Sequence, residues 1–537
     1  MRLLSDFEAH VVKLTFYSGV REIGGNKILL EDDKRKLLLD FGYPYGKYRD
    51  FYEEYLKPRA GAGLLDPLVM GLLPPLEGIY RTDLAAENLW QRFRQAEHYR
   101  RLEDVEGVLL THAHLDHSGH ISFLREDIPV YSTATTAFIA KATQDSGKAD
   151  FDQQVCYFTP RVEECLQEWR QGAYVASGGD FQRRFCVPNE SELGEDARNF
   201  WKTATRQKKL ESQSLEDISK CGFGLRCFPV DHSIPGACAW GIETSSGWVI
   251  YSGDLRLHGK RRKLTERFMK EAAQLCPRAL IIEGTNVDKE ANVSEQEVYE
   301  NALKAIDNAK GLVIADFPAR DVDRLLTFLQ VARDTKRKLA ILPRDAYLLK
   351  TMRLVEPQTP NVAQEHAIVI YQETTASRSP AQWLRHLYQE HSSKVVIAKD
   401  IALNQGDFVL CFSFFDLNEL PSIRPGQGSL YIYSSSEPHN EEQEMDFWRL
   451  HHWLKHFGVK GFGLPVEKNG KWQIPEEEKG LHASGHACGP DLLQIAREIR
   501  PQVLIPVHSE RPEFYEDNLG DSGMTVILPT EYGTVEI

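Results

Sequence analysis

The ten residues THAHLDHSGH, 111–120, hold four histidines and an aspartate. His112 and His114 alternate along what reads as an extended strand end, so both side chains leave the chain on one side. Asp116 and His117 follow as the chain turns, and Ser118 is expected to cap a short helix. One segment thereby offers two donor groups to each of two neighbouring metal ions. Histidines merely filling a core would leave several ring nitrogens needing partners. A chain with this segment needs a fold that carries more ligands to the same place.

Three further candidates each follow an apolar, β-rich run: His232 in VDHSIPG, Asp254 in YSGDLR and His508 in IPVHSE. Such runs, ended by Gly, Asp or Pro, are the strand signal. They recur at 12–19, 26–32, 36–42, 105–112, 128–133, 224–232, 237–244, 247–254 and 278–285. Ligands projecting from strand ends over one sheet edge would converge. Residues 134–220 read mostly as helices and polar loops. From about Ser294 helix and strand alternate, which predicts βαβ units and a parallel sheet, and SEQE at 294–297 predicts a capping box.

Bulk properties narrow the classes. No apolar run approaches the roughly 20 residues that span a bilayer, and the N-terminus lacks a secretory pattern. A cytoplasmic protein with no membrane partner is expected. Nine cysteines, odd in number and without a C-x-x-C pair, imply neither a disulfide framework nor a thiolate metal site. The net charge of −14 argues against promiscuous nucleic-acid binding while allowing a basic groove. The basic stretches at 208–210, 258–263 and 336–338 read as solvated faces.

The pattern resembles the metallo-β-lactamase fold. LLLDFG with Asp40, HAHLDH, VDH and SGD match its four motifs in order. IIEGT, HASGH and PVHSE resemble the three further motifs of the β-CASP nucleases, at Glu283, His486 and His508. In wording, SGVREIGGN, HSIPGA and YSGDLR are similar to the RNase J ribonucleases. The resemblance implies an α/β fold, a metallo-β-lactamase αββα sandwich over 1–292 and 469–537, with an inserted β-CASP α/β domain over 293–468.

It also implies a site. His112, His114 and His232 would hold one zinc, and Asp116, His117 and His508 the other, with Asp254 bridging and manganese as an alternative metal. Asp40 would orient a ligand from behind. Two such metals activate a water and stabilise charge on a phosphate under in-line attack. Asp116, His486 and Glu283 are the catalytic candidates, with His486 as general acid oriented by Glu283. Ser484, in HASGH, and Ser435, among three serines expected at a helix start, are candidate substrate contacts; simple capping is the other reading of the serines. His at 508 is the RNA-processing variant of its motif, so single-stranded RNA is the implied partner. A homo-oligomer is compatible with the family pattern.

Two rival classes are a small-molecule thioesterase or lactonase of the same fold and a non-catalytic RNA-binding subunit. A DNA-specific β-CASP nuclease is a variant of the first reading. The inserted domain and the intact ligand set count against both rivals. The sequence also departs from the RNase J pattern. It ends soon after His508, where that family commonly continues into a C-terminal domain. Residues 70–101 and 117–232 are enlarged and read either as caps narrowing access to the site or as plain surface elaboration. DFPARDVDRL (316–325) stands where an Asn-containing segment is usual, with Arg320 and Asp321 in its place, which puts recognition of a 5′ end in question. His451 and His452 read as packing or surface residues.

Overall fold

The computed structural model describes residues 11–537 except 54–55, 148–150, 165–172, 206–207, 308, 319, 375–379, 436–440 and 469–470. Alternation along the first strands decides the architecture. In Val12–Ser18, Lys27–Asp32 and Arg35–Leu39, the side chains of Leu14, Ile28, Leu30 and Leu37 enter one core, while Tyr17, Leu29 and Leu38 enter another. Both faces of this sheet are therefore buried, which is why its strands read as near-continuous apolar runs.

The sheet has eight strands, and a second sheet has six. The second runs Gly224–Pro229, Cys238–Thr244, Gly247–Tyr251, Ala279–Ile282, Val503–Pro506 and Thr525–Val526 in spatial order. Trp240, Tyr251, Ile281 and Ile505 from its inner face meet Leu14, Ile28, Leu37 and Leu109 from the first. Its outer face, with Ile250, Leu280 and Leu504, is covered by the helices Arg262–Ala273 and Gly489–Ile499 through Phe268, Leu492 and Ile495. Each of these aliphatic side chains contributes about 1.5–3 kcal/mol on full burial.

Between Ala279–Ile282 and its neighbour Val503–Pro506 the chain builds a third sheet. Its seven strands lie within residues 313–462, and every pairing between them among the described residues is parallel. The helix–strand alternation predicted this arrangement. The capping box at its entrance is present: Ser294 N–H donates to Glu297 Oε2 at 2.7 Å, and Glu297 N–H donates to Ser294 Oγ at 3.2 Å. Val298, Phe328 and Leu339 of this unit share one core with Leu29, Leu38 and Val108 of the first sheet, so the two pack as one body.

Two expectations need correction. Residues 134–220 contain the helices Ala134–Ser146 and Glu195–Trp201, but also seven strands of two to four residues each among those described. Pieces so short show no alternation to read. Ser118 stands at the N-cap of the short 3-10 helix Gly119–Phe123, as expected, but its side chain makes no cap bond; Ser118 Oγ donates back to the carbonyl of His114, itself the N-cap of Leu115–Ser118, at 2.8 Å. No helix among the described residues is long and apolar enough to cross a membrane.

Candidate active site

The first sheet contributes the ends of two parallel neighbours, Arg35–Leu39 and Val105–Leu109. The second contributes the ends of three, Gly247–Tyr251, Ala279–Ile282 and Val503–Pro506, also mutually parallel. Asp40 and His112 follow the first pair; Asp254, Glu283 and His508 follow the other three. Loops leaving aligned strand ends bring side chains from distant sequence to one edge. Asp40 and His508 adopt left-handed φ values of 51° and 50°, a costly conformation outside glycine that turns each side chain inward. Gly42 is required by close approach, since a Cβ there would lie 1.6 Å from the Asp116 carbonyl oxygen.

Two groups of donors result. His112 Nε2 and His232 Nε2 lie 3.1 and 3.2 Å from His114 Nδ1. His232 Nδ1 donates to the Gly485 carbonyl at 2.6 Å, which leaves its Nε2 as a lone pair aimed at the group. In the second group His117 Nε2 is 3.1 Å from Asp254 Oδ2 and 3.8 Å from Asp116 Oδ2, and His508 Nε2 is 3.4 Å from Asp116 Oδ2. Asp254 Oδ2 reaches both groups, lying 3.6 Å from His112 Nε2.

The charges fit this crowding. Burial pushes His112 and His232 well below the usual imidazole range and His114 down to about 4. For His117 burial acts the same way, but the carboxylates of Asp254, Asp40 and Asp116 outweigh it and raise it. Burial also opposes ionisation of Asp254, yet His117 and His508 hold it well below the usual carboxylate range.

Asp40 lies directly behind the second group. It accepts from Thr111 N–H at 2.8 Å, Thr111 O–H at 2.9 Å and Tyr251 O–H at 2.7 Å, and from His117 Nδ1–H at 2.7 Å. That last bond fixes the His117 tautomer and presents Nε2 to the site. Thr285 Oγ1, 2.9 Å from His508 Nδ1, orients that ring in the same way.

Among the described residues, His117 Nε2 and Asp254 Oδ1 are buried with no hydrogen-bond partner. Buried polar atoms are rarely left so. The groups His112/His114/His232 and Asp116/His117/Asp254/His508 each gather donor atoms within 4.8 Å, and imidazole and carboxylate together suit zinc or manganese. These residues fit metal ions. Glu283 and His486 also fall within that distance of Asp254 and His508. The Glu283 carboxylate, however, already accepts from Leu255 N–H at 2.9 Å and from His486 Nδ1 at 3.0 Å, so we read the pair as a hydrogen-bonded unit beside the candidate ligands.

His486 is held from several sides. Its carbonyl accepts from Asn286 at 3.3 Å and Asn292 at 3.1 Å. Burial opposes its charged form, but Glu283 and Asp254 outweigh burial and hold it at about 9. Its side chain stays 20 % exposed, open to a substrate. Ser484 braces the same loop: its hydroxyl oxygen accepts from Asn286 at 2.7 Å, and its carbonyl accepts from Arg256 at 3.0 Å and His258 at 2.8 Å.

The serine run packs against the segment just ahead of that loop. Ser434 is buried, with its hydroxyl between Arg324 at 2.6 Å and the Leu481 carbonyl at 2.7 Å. The Ser435 carbonyl accepts from His482 at 2.6 Å, and Ser436 lies outside the described residues. His451 and His452 bond the carbonyls of Pro465 and Trp448, each at 2.8 Å, as packing residues do. Sequence reasoning overlooked Thr111, Tyr251, Thr285 and Arg256 as supports. All four stand inside or next to the motifs quoted above, and that adjacency was the available signal.

Residues 477–529 match the family model described as Zn-dependent metallo-hydrolase RNA specificity domain. The chain is 24% identical over 507 residues to Ribonuclease J of Mycolicibacterium smegmatis, covering 93% of this chain and 68% of that one. It is 24% identical over 506 residues, with the same coverages, to Ribonuclease J of Mycobacterium tuberculosis. A crystal structure titled as a protein of unknown function from Enterococcus faecalis superimposes with a TM-score of 0.65, at 20% identity, covering 98% of this chain and 100% of that one. That likeness is one of fold.

Proposed function

We infer that this chain, which is similar to Ribonuclease J over most of its length, is a hydrolytic enzyme with a metal-binding site. We propose that it hydrolyses phosphodiester bonds of single-stranded RNA with two metal ions, zinc or manganese. His112, His114 and His232 would hold one ion and Asp116, His117 and His508 the other, with Asp254 within reach of both groups. The observation that carries this reading is the Glu283–His486 unit standing beside the ligands, its imidazole 3.9 Å from Asp254. A proton donor next to a two-ion cluster is what expulsion of an alkoxide from a phosphodiester requires.

When bound, the two ions neutralise charge on the phosphate and lower the pKa of the attacking water. The protein's own groups do the rest. Asp40 and Thr285 keep the rings of His117 and His508 oriented. Glu283 accepts from His486 Nδ1–H and favours the charged imidazole, so a proton at Nε2 is available to the leaving 3′ oxygen. Water attack then leaves a 5′-phosphate and a 3′-hydroxyl. The domain reading assigns 1–292 and 469–537 to the metallo-β-lactamase domain and 293–468 to a β-CASP insertion. It is supported by the parallel sheet that leaves after Ala279–Ile282 and by the direct pairing of that strand with Val503–Pro506.

The test is a cleavage assay on matched single strands of RNA and DNA with zinc or manganese, using Asp116→Ala as control. RNA cut by the native protein and not by the variant supports the reading. No cutting of either polymer, with two ions confirmed bound, moves a small-molecule hydrolase of the same fold to the front.

A further inference from the structure

Three residues at the start of the helix Val322–Asp334, in the inserted unit, have separate fates. Asp321 caps the helix, accepting from Arg324 N–H at 2.9 Å. Arg320 Nη1 donates to the carbonyl of Ala113 over a long 3.4 Å. Asp323 crosses to the two-sheet unit, where its Oδ2 accepts from Arg256 Nη2 at 2.7 Å. Arg256 ends the stretch YSGDLR, two residues beyond Asp254. The side chains of Arg256 and Asp323 are shut away from water, 0 % and 1 % exposed. A guanidinium fixes its donors in one planar fork, so each bond it makes constrains the others.

The other arms of this fork reach the candidate site. Arg256 Nε donates to Asp231 Oδ1 at 3.1 Å, next to His232, and Nη1 donates to the Ser484 carbonyl at 3.0 Å, two residues ahead of His486. The neighbours of Arg256 grip the same loop. His258 Nε2 donates to the Ser484 carbonyl at 2.8 Å, and the Leu255 carbonyl accepts from Ala487 N–H at 2.8 Å. Leu255 N–H donates to Glu283 at 2.9 Å. Residues 255–258 therefore bond the chain on both sides of His486 and also the carboxylate that holds its ring. The seat leaves no slack, since a Cβ at Gly259 would lie 2.3 Å from Arg256 Nε. A general acid works only when held in place, and a displacement of about 1 Å costs on the order of 10²-fold in rate.

We propose that Arg256 is a positioning residue for His486, and that Asp323 makes the placement of this acid depend on the docked inserted unit. Asp323 holds one edge of the fork, the fork holds Ser484, and the Ser484 loop carries His486. Arg256 touches no reacting atom; its effect passes through that loop. The proposal rests on the ribonuclease reading above, in which His486 gives a proton to the leaving 3′ oxygen.

The test compares two substrates on the full chain supplied with zinc. One is a single-stranded oligoribonucleotide, whose leaving 3′ oxygen needs a proton. The other is bis(p-nitrophenyl) phosphate, whose p-nitrophenolate departs without one. Arg256→Lys keeps a cation between Asp231 and Asp323 but has no fork to reach Ser484. It is expected to lower the single-turnover rate of RNA cleavage about 10²-fold, with KM within about twofold of native. Hydrolysis of bis(p-nitrophenyl) phosphate and metal content are expected to stay at the native level. Asp323→Asn, which leaves Arg261 its second partner Glu356 at 3.8 Å, is expected to act the same way by a smaller factor, and decides alone if Arg256→Lys does not fold. Equal losses on both substrates, or RNA cleavage at the native rate in both variants, would overturn the proposal and leave the ribonuclease reading standing. A native protein that cuts no RNA overturns both.

Discussion

His486 Nδ1 lies 3.0 Å from Glu283 Oε2, although 203 residues of chain separate them. The whole seven-stranded sheet is inserted between the two, and the loop ahead of the helix Gly489–Ile499 brings His486 back to the end of Ala279–Ile282. The pair depends on that return being accurate.

The first prediction follows from this contact. Glu283→Gln keeps the size of the side chain and an oxygen acceptor but removes the charge that holds His486 protonated. The variant is expected to lose about 10²–10⁴-fold in kcat with KM little changed. Steady-state kinetics on a single-stranded RNA decide it; a proportional rise in KM would point to substrate binding instead.

Asp40 makes a second case. Its carboxylate collects four hydrogen bonds from Thr111, Tyr251 and His117 and touches none of the other proposed ligands. Asp40→Ala is expected to lower metal affinity about 10–100-fold by freeing the His117 ring. Metal content after dialysis against graded chelator measures this, and retention equal to the native protein's would remove Asp40 from the site's support.

The inserted unit is fastened by charges buried away from water. Arg324 bonds Glu295 at 3.1 Å and the Ala483 carbonyl at 3.0 Å, just ahead of the loop that carries Ser484 and His486. Arg324→Met leaves the buried Glu295 with only the Thr327 hydroxyl at 2.8 Å and the Arg256 guanidinium at 3.9 Å, and is expected to cost about 3–5 kcal/mol in stability. Adding Glu295→Leu to the same chain is expected to recover most of that loss. Urea midpoints of the single and double variants test it, and a double variant as unstable as the single would contradict it.

Asp316 predicts a pH dependence. Burial raises its pKa to about 7, only partly offset by the Tyr431 hydroxyl that donates to it. The folded chain then binds this proton more tightly than the unfolded chain, whose aspartate titrates near 3.8. Its contribution to stability is therefore fully present below about pH 4 and is lost as pH rises through about 7. Asp316→Asn keeps an acceptor for Tyr431 and has no charge to bury. It is expected to be more stable than the native protein at pH 8, by on the order of 2 kcal/mol, with little difference at pH 4. Thermal melts at the two pH values check the sign.

The ligand segment was legible because its donors lie in one decapeptide with strand spacing, and the other ligands each close an apolar run. The parallel insertion was legible from helix–strand alternation. The strands within 157–217 were not, because runs of two to four residues carry no period. Nor was the work of Arg256 and Arg324, whose partners lie 228 and 159 positions away in Ser484 and Ala483. Ser434 illustrates the same limit: a serine before a helical stretch suggests capping or phosphate contact, and its real partner is a buried arginine.

Sequence alone determined which side chains are available for metal and acid–base chemistry and which strands present them. Local spacing sets the direction of each side chain, and apolar period sets each element. Tertiary structure alone decided the convergence: that His112, His232, Asp254 and His508 face one another, that Glu283 meets His486, and that Arg320 turns toward Ala113 while Asp321 caps a helix. Those outcomes depend on long-range packing of two sheets and an inserted third, and no local pattern encodes a distance between strand ends that only the shared core brings together.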